Sequence, residues 1–185
     1  GIFLFKQISE ISEWTDMKEQ PEPYVVQRYI MEPLLIGGKK FDMRIYALCT
    51  SYAPLTIYLN RSGFGRFTHV RYDASDINNM EGHLTNVAIQ KRSDNYDEER
   101  GGKWLLDKLR LYLTSKYGHE RVDECFYNVQ QIIIKTLSSV VKVMMNDKRC
   151  FELYGFDVLL DSNLRPWLLE VNGSPSMTAN TPIDQ

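Results

Sequence analysis

The most regular stretch of the chain is "KFDMRIYALCTSY", Lys40 to Tyr52, where Lys40, Asp42 and Arg44 alternate with Phe41, Met43 and Ile45. A period of two predicts a strand with the three charges on one face, continued by Tyr46, Leu48 and Thr50. Gly37 and Gly38 supply a turn in front of it. Upstream, Ile2 to Phe5 predicts a short buried strand, and Gln7 to Trp14 a short helix with Ile8, Ile11 and Trp14 on one face. "MKEQPEP" is a loop, and Tyr24 to Ile30 predicts a further strand that Pro33 interrupts. Downstream, Leu55 to Leu59 and Gly65 to Tyr72 predict a hairpin turning at "NRSG". Asp73 to Asn95 is polar and irregular. Two helices are expected next. Lys103 to Tyr117 has Trp104, Leu105, Leu109, Tyr112 and Leu113 as its apolar face, and Val122 to Met145 is apolar over a wide arc, with Gly118 as a C-cap between them. The chain closes on "CFELYGFDVLLD", a turn at "SNLR" and "PWLLEVN". Strands, two helices and a final hairpin predict an α+β fold with a mainly antiparallel sheet, without repeats or a domain linker.

Composition narrows the function classes. The chain has 185 residues, 43% hydrophobic and 25% charged, with a formal net charge of -2, so no overall positive field favours nucleic acid or an anionic membrane. "GFGRFTHV" carries aromatic and basic residues, but Arg66 breaks the spacing of an RNA-binding sheet motif. Cys49, Cys125 and Cys150 are odd in number and lack CxxC spacing, which suits a reducing compartment. His69, His83 and His119 are too scattered for zinc. No apolar run approaches the roughly 18 to 20 residues of a membrane span. "GIFLFK" lacks a methionine and a basic flank, so the chain is expected to be an interior piece of a longer one.

The final hairpin carries the sharpest chemical question. A four-residue loop at Ser162 to Arg165 would put Asp157 directly opposite Glu170, and a two-residue loop would make them diagonal neighbours. Asn172 shares the face of Glu170. Two carboxylates and a carboxamide on one strand face repel unless a cation lies between them, and hard oxygen donors suit Mg²⁺. The alternative is that Glu170 pairs with an arginine or lysine of the sheet and Asp157 bonds locally. Lys40 and Arg44 offer a point charge and a bidentate fork suited to phosphate, with Asp42 between them. The alternative there is a solvated face with ion pairs. Arg66 is either a solvent-facing strand residue or a cation aimed at the same cleft. Thr85 and Asn86 in "HLTN" could line a ligand site or hold turns.

In order, "VVQRYI", "LLIGGKKFDMRIYAL", "GFGRF", "HLTNVAIQK", "CFELYGFDVLLD" and "RPWLLEVNGSPS" resemble the tubulin tyrosine ligase-like family of ATP-grasp ligases, and the polyglutamylase branch in particular. The resemblance covers about Gly1 to Thr178. It implies an ATP-grasp fold, with residues 1–185 as a single catalytic domain fragment whose N-terminal region and an upstream lysine are missing. ATP would lie between two sheets, with adenine held by a hinge strand at Gln27, Arg28, Tyr29 and Ile30. Lys40 and Arg44 would contact phosphates and Asp42 the nucleotide. Arg66 would stand near the reacting carboxylate, with Thr85 and Asn86 lining the pocket. Asp157, Glu170 and Asn172 would hold Mg²⁺. The implied reaction adds L-glutamate to glutamate side chains of acidic tubulin tails through an acylphosphate. Glycine or tyrosine ligation and a non-catalytic nucleotide- or microtubule-binding module are the alternatives. Arg61, Arg71, Lys91 and Arg92 are candidates for steering the tail. The implied setting is the cytoplasm and cytoskeleton, in a cilium, flagellum or basal body.

Overall fold

In the computed structural model, which describes residues 2–17, 23–90 and 102–177, a long central strand organises everything else. This is β2 (Lys39–Tyr52), paired antiparallel with β1 (Leu35–Ile36), β3 (Leu55–Leu59), β4 (Phe64–Phe67) and β6 (Glu152–Leu160). Outer strands β5 (Lys103–Leu105) and β7 (Pro166–Gly173) complete a sheet whose main path is β5-β4-β2-β6-β7. Every pairing is antiparallel, and the α+β fold expected from the sequence is the one observed.

The alternation in β2 does what a period of two requires. Phe41, Met43, Ile45, Ala47 and Cys49 are buried on one face. Helices α4 (Leu106–Tyr117) and α5 (His119–Val140) complete that core, α4 with Leu106, Leu109 and Leu113, α5 with Val122, Cys125, Val129, Ile133 and Leu137. The spacing of three and four residues puts each set on one helical stripe, and each fully buried Leu, Ile or Phe contributes about 1.5–3 kcal/mol. Gly118, at φ 82°, ends α4 and starts α5, a backbone state that glycine adopts without strain. No helix among the described residues is long and apolar enough to cross a membrane.

Several expectations are corrected. Ile2 to Phe5 and Tyr24 to Ile30 lie in no strand. They are held by aromatic contacts instead, with Trp14 4.9 Å from both Phe3 and Tyr24, ring centre to ring centre. Helix α1 (Ile8–Asp16) forms as expected but buries no residue, and Ile8 is exposed. β3 and β4 do not form a hairpin. Both pair with β2, in line and in the same direction, as one return strand interrupted at Asn60–Gly63. The interruption brings the Gly63 backbone against the Arg44 carbonyl, where a Cβ would lie 2.5 Å from the oxygen. β4 also stops at Phe67 instead of Tyr72, and Lys103–Leu105 is strand rather than the start of the helix, since it pairs with β4. Helix α5 begins at His119 and ends at Val140, earlier at both ends than its apolar arc suggests.

The last hairpin reaches the expected register by an unexpected route. Its turn is five residues, Asp161 to Arg165, organised by the Asp161 carboxylate, which accepts from the Asn163 and Arg165 amides at 2.9 and 3.0 Å and from Trp167 Nε1 at 2.9 Å. With that odd turn alone Asp157 would face Leu169, and Glu170 would point to the other side of the sheet. A bulge at Leu169 restores the register, so that Asp157 stands opposite Glu170 and Gly155 opposite Asn172.

Candidate active site

The charged face of β2 meets charged partners on both neighbouring strands. Register places Asp42 opposite Arg66 on β4 and Arg44 opposite Asp157 on β6. Arg66 Nε donates to Asp42 Oδ1 at 2.9 Å, and its Nη2 also reaches Asp157 Oδ2 at 2.7 Å across β2. Arg44 grips Asp157 with Nε and with Nη2, the latter at 3.0 Å. Two guanidinium groups and two carboxylates therefore alternate in one chain of ion pairs. Both aspartates are 2% exposed, deep enough that losing one partner would strand a charge in low dielectric. Burial alone would push the Asp157 carboxyl up, but the Arg44 hydrogen bond and the Arg66 charge outweigh it and hold it below its ordinary value. Burial works against the Arg66 charge too, and the Asp42 and Asp157 partners more than offset it. Gly155 makes the arrangement possible from β6, since a Cβ there would lie 3.2 Å from Arg44 Cδ and 3.0 Å from Pro175 Cβ.

Lys40 stands apart from this network. Its ammonium donates to the Tyr29 hydroxyl at 2.9 Å and to the His83 carbonyl at 2.7 Å, both neutral acceptors. Burial pushes its pKa down from 10.5 to about 8, with the Asp42 charge resisting. His83 is buried at the end of α2 (Met80–His83), with Nδ1 2.7 Å from the Tyr29 hydroxyl and Nε2 2.9 Å from the Asp76 carbonyl. The "HLTN" segment gets its order from polar clamps rather than a sheet. Gln90, at the end of α3 (Val87–Gln90), donates to the Glu81 carbonyl at 2.8 Å and accepts from the His69 amide at 2.7 Å.

These groups surround one cavity of about 280 Å³, near the lower end of the range for small-molecule sites. Of the residues singled out in the sequence, Gln27, Arg28, Tyr29 and Ile30 line it from the connecting segment, Lys40, Asp42, Arg66, Asp157 and Glu170 from the sheet, and Thr85 and Asn86 from the segment after α2. Arg44 and Asn172 do not line it. Arg44 is committed to Asp157 behind the wall, and Asn172 Nδ2 donates to Glu170 Oε1 at 3.2 Å. Gln27 to Ile30 reach the cavity without strand pairing. Apolar walls come from Leu84, Leu159 and Leu169, and from Ile2 to Leu4. His83 also lines it, and neither the period of the sequence nor its spacing had singled that residue out. Its one signal was a histidine directly before a polar "LTN" in a segment with little apolar pattern.

As a cation site, the donor set has an uneven character. Among the described residues no cluster of three His, Cys, Asp or Glu forms. Both Asp157 oxygens are engaged by arginine, whereas Glu170 is exposed and, among the described residues, accepts from Asn172. Glu170 is thus the carboxylate of this set that arginine does not engage, and carboxylate and carboxamide oxygens are donors of the kind Mg²⁺ takes while it keeps much of its shell as water and phosphate. Of the candidate steering groups, Arg61 and Arg71 are exposed, and Lys91 and Arg92 lie outside the described residues.

A family model described as the tubulin-tyrosine ligase family matches residues 1–185. The chain is 50% identical over 195 residues to the "Probable alpha-tubulin polyglutamylase Ttll1" of Tetrahymena thermophila, covering 100% of this chain and 47% of that protein. It is 44% identical over 218 residues to the "Probable tubulin polyglutamylase TTLL9" of Bos taurus, with 100% and 47% covered. To the "Probable tubulin polyglutamylase ttll-9" of Caenorhabditis elegans it is 46% identical over 187 residues, with 100% and 45% covered. The chain thus spans about half the length of the curated relatives it matches.

Proposed function

The chain belongs to the tubulin-tyrosine ligase family, and from that premise we propose that it forms the nucleotide-binding part, as a single domain fragment, of a ligase that joins glutamate to glutamate side chains of tubulin C-terminal tails. ATP is the co-substrate. The γ-carboxylate of the acceptor takes the γ-phosphoryl group to give an acylphosphate and ADP; the α-amine of free L-glutamate then displaces phosphate and loses a proton. The observation that carries this reading is the single cavity in which Lys40, Asp42, Arg66, Asp157 and Glu170 meet Tyr29, Thr85 and Asn86. The polyglutamylase names of the relatives support the choice of glutamate and tubulin.

Each part has a distinct task in this proposal. Gln27 to Ile30, which line the cavity, hold the base of the nucleotide. Lys40 is the cation whose neutral partners leave its charge available to phosphate oxygens. Arg66, fixed by two aspartates, stabilises negative charge at the reacting carboxyl without reorganising. Arg44 holds Asp157, and Asn172 holds Glu170. Glu170, Asn172 and Asp157 would hold Mg²⁺, which when bound offsets charge on the phosphates. Arg61 and Arg71, both exposed, would steer the acidic tail. The proposed setting is the microtubule cytoskeleton, and more narrowly the cilium, flagellum or basal body.

The test is mass spectrometry of tubulin tails after incubation of the full-length protein with ATP and, separately, glutamate, glycine and tyrosine. Mass increments of glutamate residues in the glutamate reaction alone are expected. Increments with glycine or tyrosine instead would overturn the donor, and none with any of them would overturn the ligase reading.

A further inference from the structure

Resting on the nucleotide-site reading above, we propose that His83 is a positioning residue for Lys40, acting through its own carbonyl and through the Tyr29 hydroxyl. The geometry is a relay of three elements. A carbonyl only accepts, so the 2.9 Å contact to the Asp76 oxygen requires a hydrogen on His83 Nε2. In the neutral ring Nδ1 is then an acceptor, and the Tyr29 hydroxyl 2.7 Å away donates to it. That hydroxyl has its lone pairs turned to Lys40, whose ammonium donates at 2.9 Å, while the His83 carbonyl takes a second Lys40 hydrogen at 2.7 Å.

One histidine thus fixes two of the three donors of the ammonium, one directly and one through tyrosine. The third is left for a ligand. The ring itself is locked by Tyr29 and Tyr72, which meet it edge-on at 5.5 and 5.2 Å, and Tyr72 is tied to the Met31 carbonyl at 2.8 Å. The titratable groups around this cluster are Tyr29 and Tyr72, whose hydroxyls also interact with each other, His83, and Asp73, whose charge faces His83 and Tyr72, with Asp42 on the strand of Lys40. A buried ammonium depends on its acceptors, because each hydrogen bond to the charged form favours that form. The His83 backbone carbonyl survives any substitution, but without the ring to take its hydrogen the Tyr29 hydroxyl is free to turn away from the ammonium, and Lys40 should then give up its proton at lower pH and present its charge less well.

The experiment is calorimetric titration of the full-length protein with ATP and Mg²⁺ from pH 6.5 to 9.5. The wild-type protein should bind ATP, with affinity falling as the pH rises through about 8. His83→Ala should bind about tenfold more weakly at pH 7, with the fall displaced to lower pH. His83→Asn, whose carboxamide oxygen can accept from Tyr29, should restore much of the wild-type profile. If the alanine variant does not fold, Tyr29→Phe, which removes only the linking hydroxyl, should show the same displacement. An unchanged affinity and profile, or a displacement to higher pH, in the folded variants overturns the role of His83. Absence of ATP binding by the wild-type protein overturns instead the site reading on which it rests.

Discussion

Two charged groups share one cavity wall and are built on opposite principles. Asp42, Arg44, Arg66 and Asp157 satisfy one another by strand register, and the set is neutral as a whole. Among the described residues, Lys40 and Glu170 hydrogen-bond neutral partners, tyrosine and a carbonyl for one, a carboxamide for the other. The first group therefore resists change, and the second is where an added phosphate or metal ion finds uncommitted charge. The difference teaches that the acidic and basic residues of the proposed nucleotide site need not all touch nucleotide. Some hold the frame against which a few act.

Breaking the frame should give the largest effect. Asp157→Ala leaves Arg44 and Arg66 facing a buried gap and should cost about 3–5 kcal/mol, measured by urea unfolding of the full-length protein. The sign of its pH dependence is set by the lowered carboxyl. The folded state holds that proton less tightly than the unfolded state, so the stabilisation is present above the ordinary carboxylate pKa and is lost as pH falls through the lower folded value. Asp157→Asn should remove that acid-side slope.

Glu170→Gln should do the reverse. Exposed and outside the ion-pair chain, it should change stability by no more than about 0.5 kcal/mol. Glutamate incorporation should nevertheless fall at least about 100-fold, if the carboxylate holds the ion in the proposed reaction. Undiminished incorporation would remove Glu170 from the metal set and blur the contrast between the groups.

Lys40 tests the comparison more gently. Lys40→Met should weaken ATP binding about 10- to 100-fold at pH 7 and abolish the fall above pH 8. In the free protein the same residue has the opposite signature. Its folded pKa of about 8 lies below the ordinary 10.5, so its contribution to stability rises with pH across that window. The smallest effect belongs to the exposed arginines. Arg61→Ala should shift the tubulin KM by less than about fivefold and leave kcat unchanged, the difference vanishing in high salt.

The central strand and the final hairpin were legible in the sequence because a period of two sorts side chains to faces wherever one face is buried. That is why Lys40, Asp42 and Arg44 could be assigned a common side, and Asp157 and Glu170 a common neighbourhood, before any coordinates. The alternative for this pair gave a sheet arginine or lysine to Glu170 and local hydrogen bonds to Asp157; the arginines go instead to Asp157, and Glu170 finds no cation of its own among the described residues.

What the sequence by itself determined is thus the alternation of faces, the helix stripes and the inventory of charged groups, all of which depend on neighbours a few residues apart. Only the tertiary structure decided who meets whom. Arg66 joins Asp42 because β4 lies along β2 rather than folding back on β3. Glu170 faces Asp157 because a bulge at Leu169 cancels a five-residue turn. His83 meets Tyr29 and Lys40 across separations of 54 and 43 residues. Such meetings depend on strand order and irregular backbone, for which a local period carries no signal, because the contacts that decide them are distant in the chain.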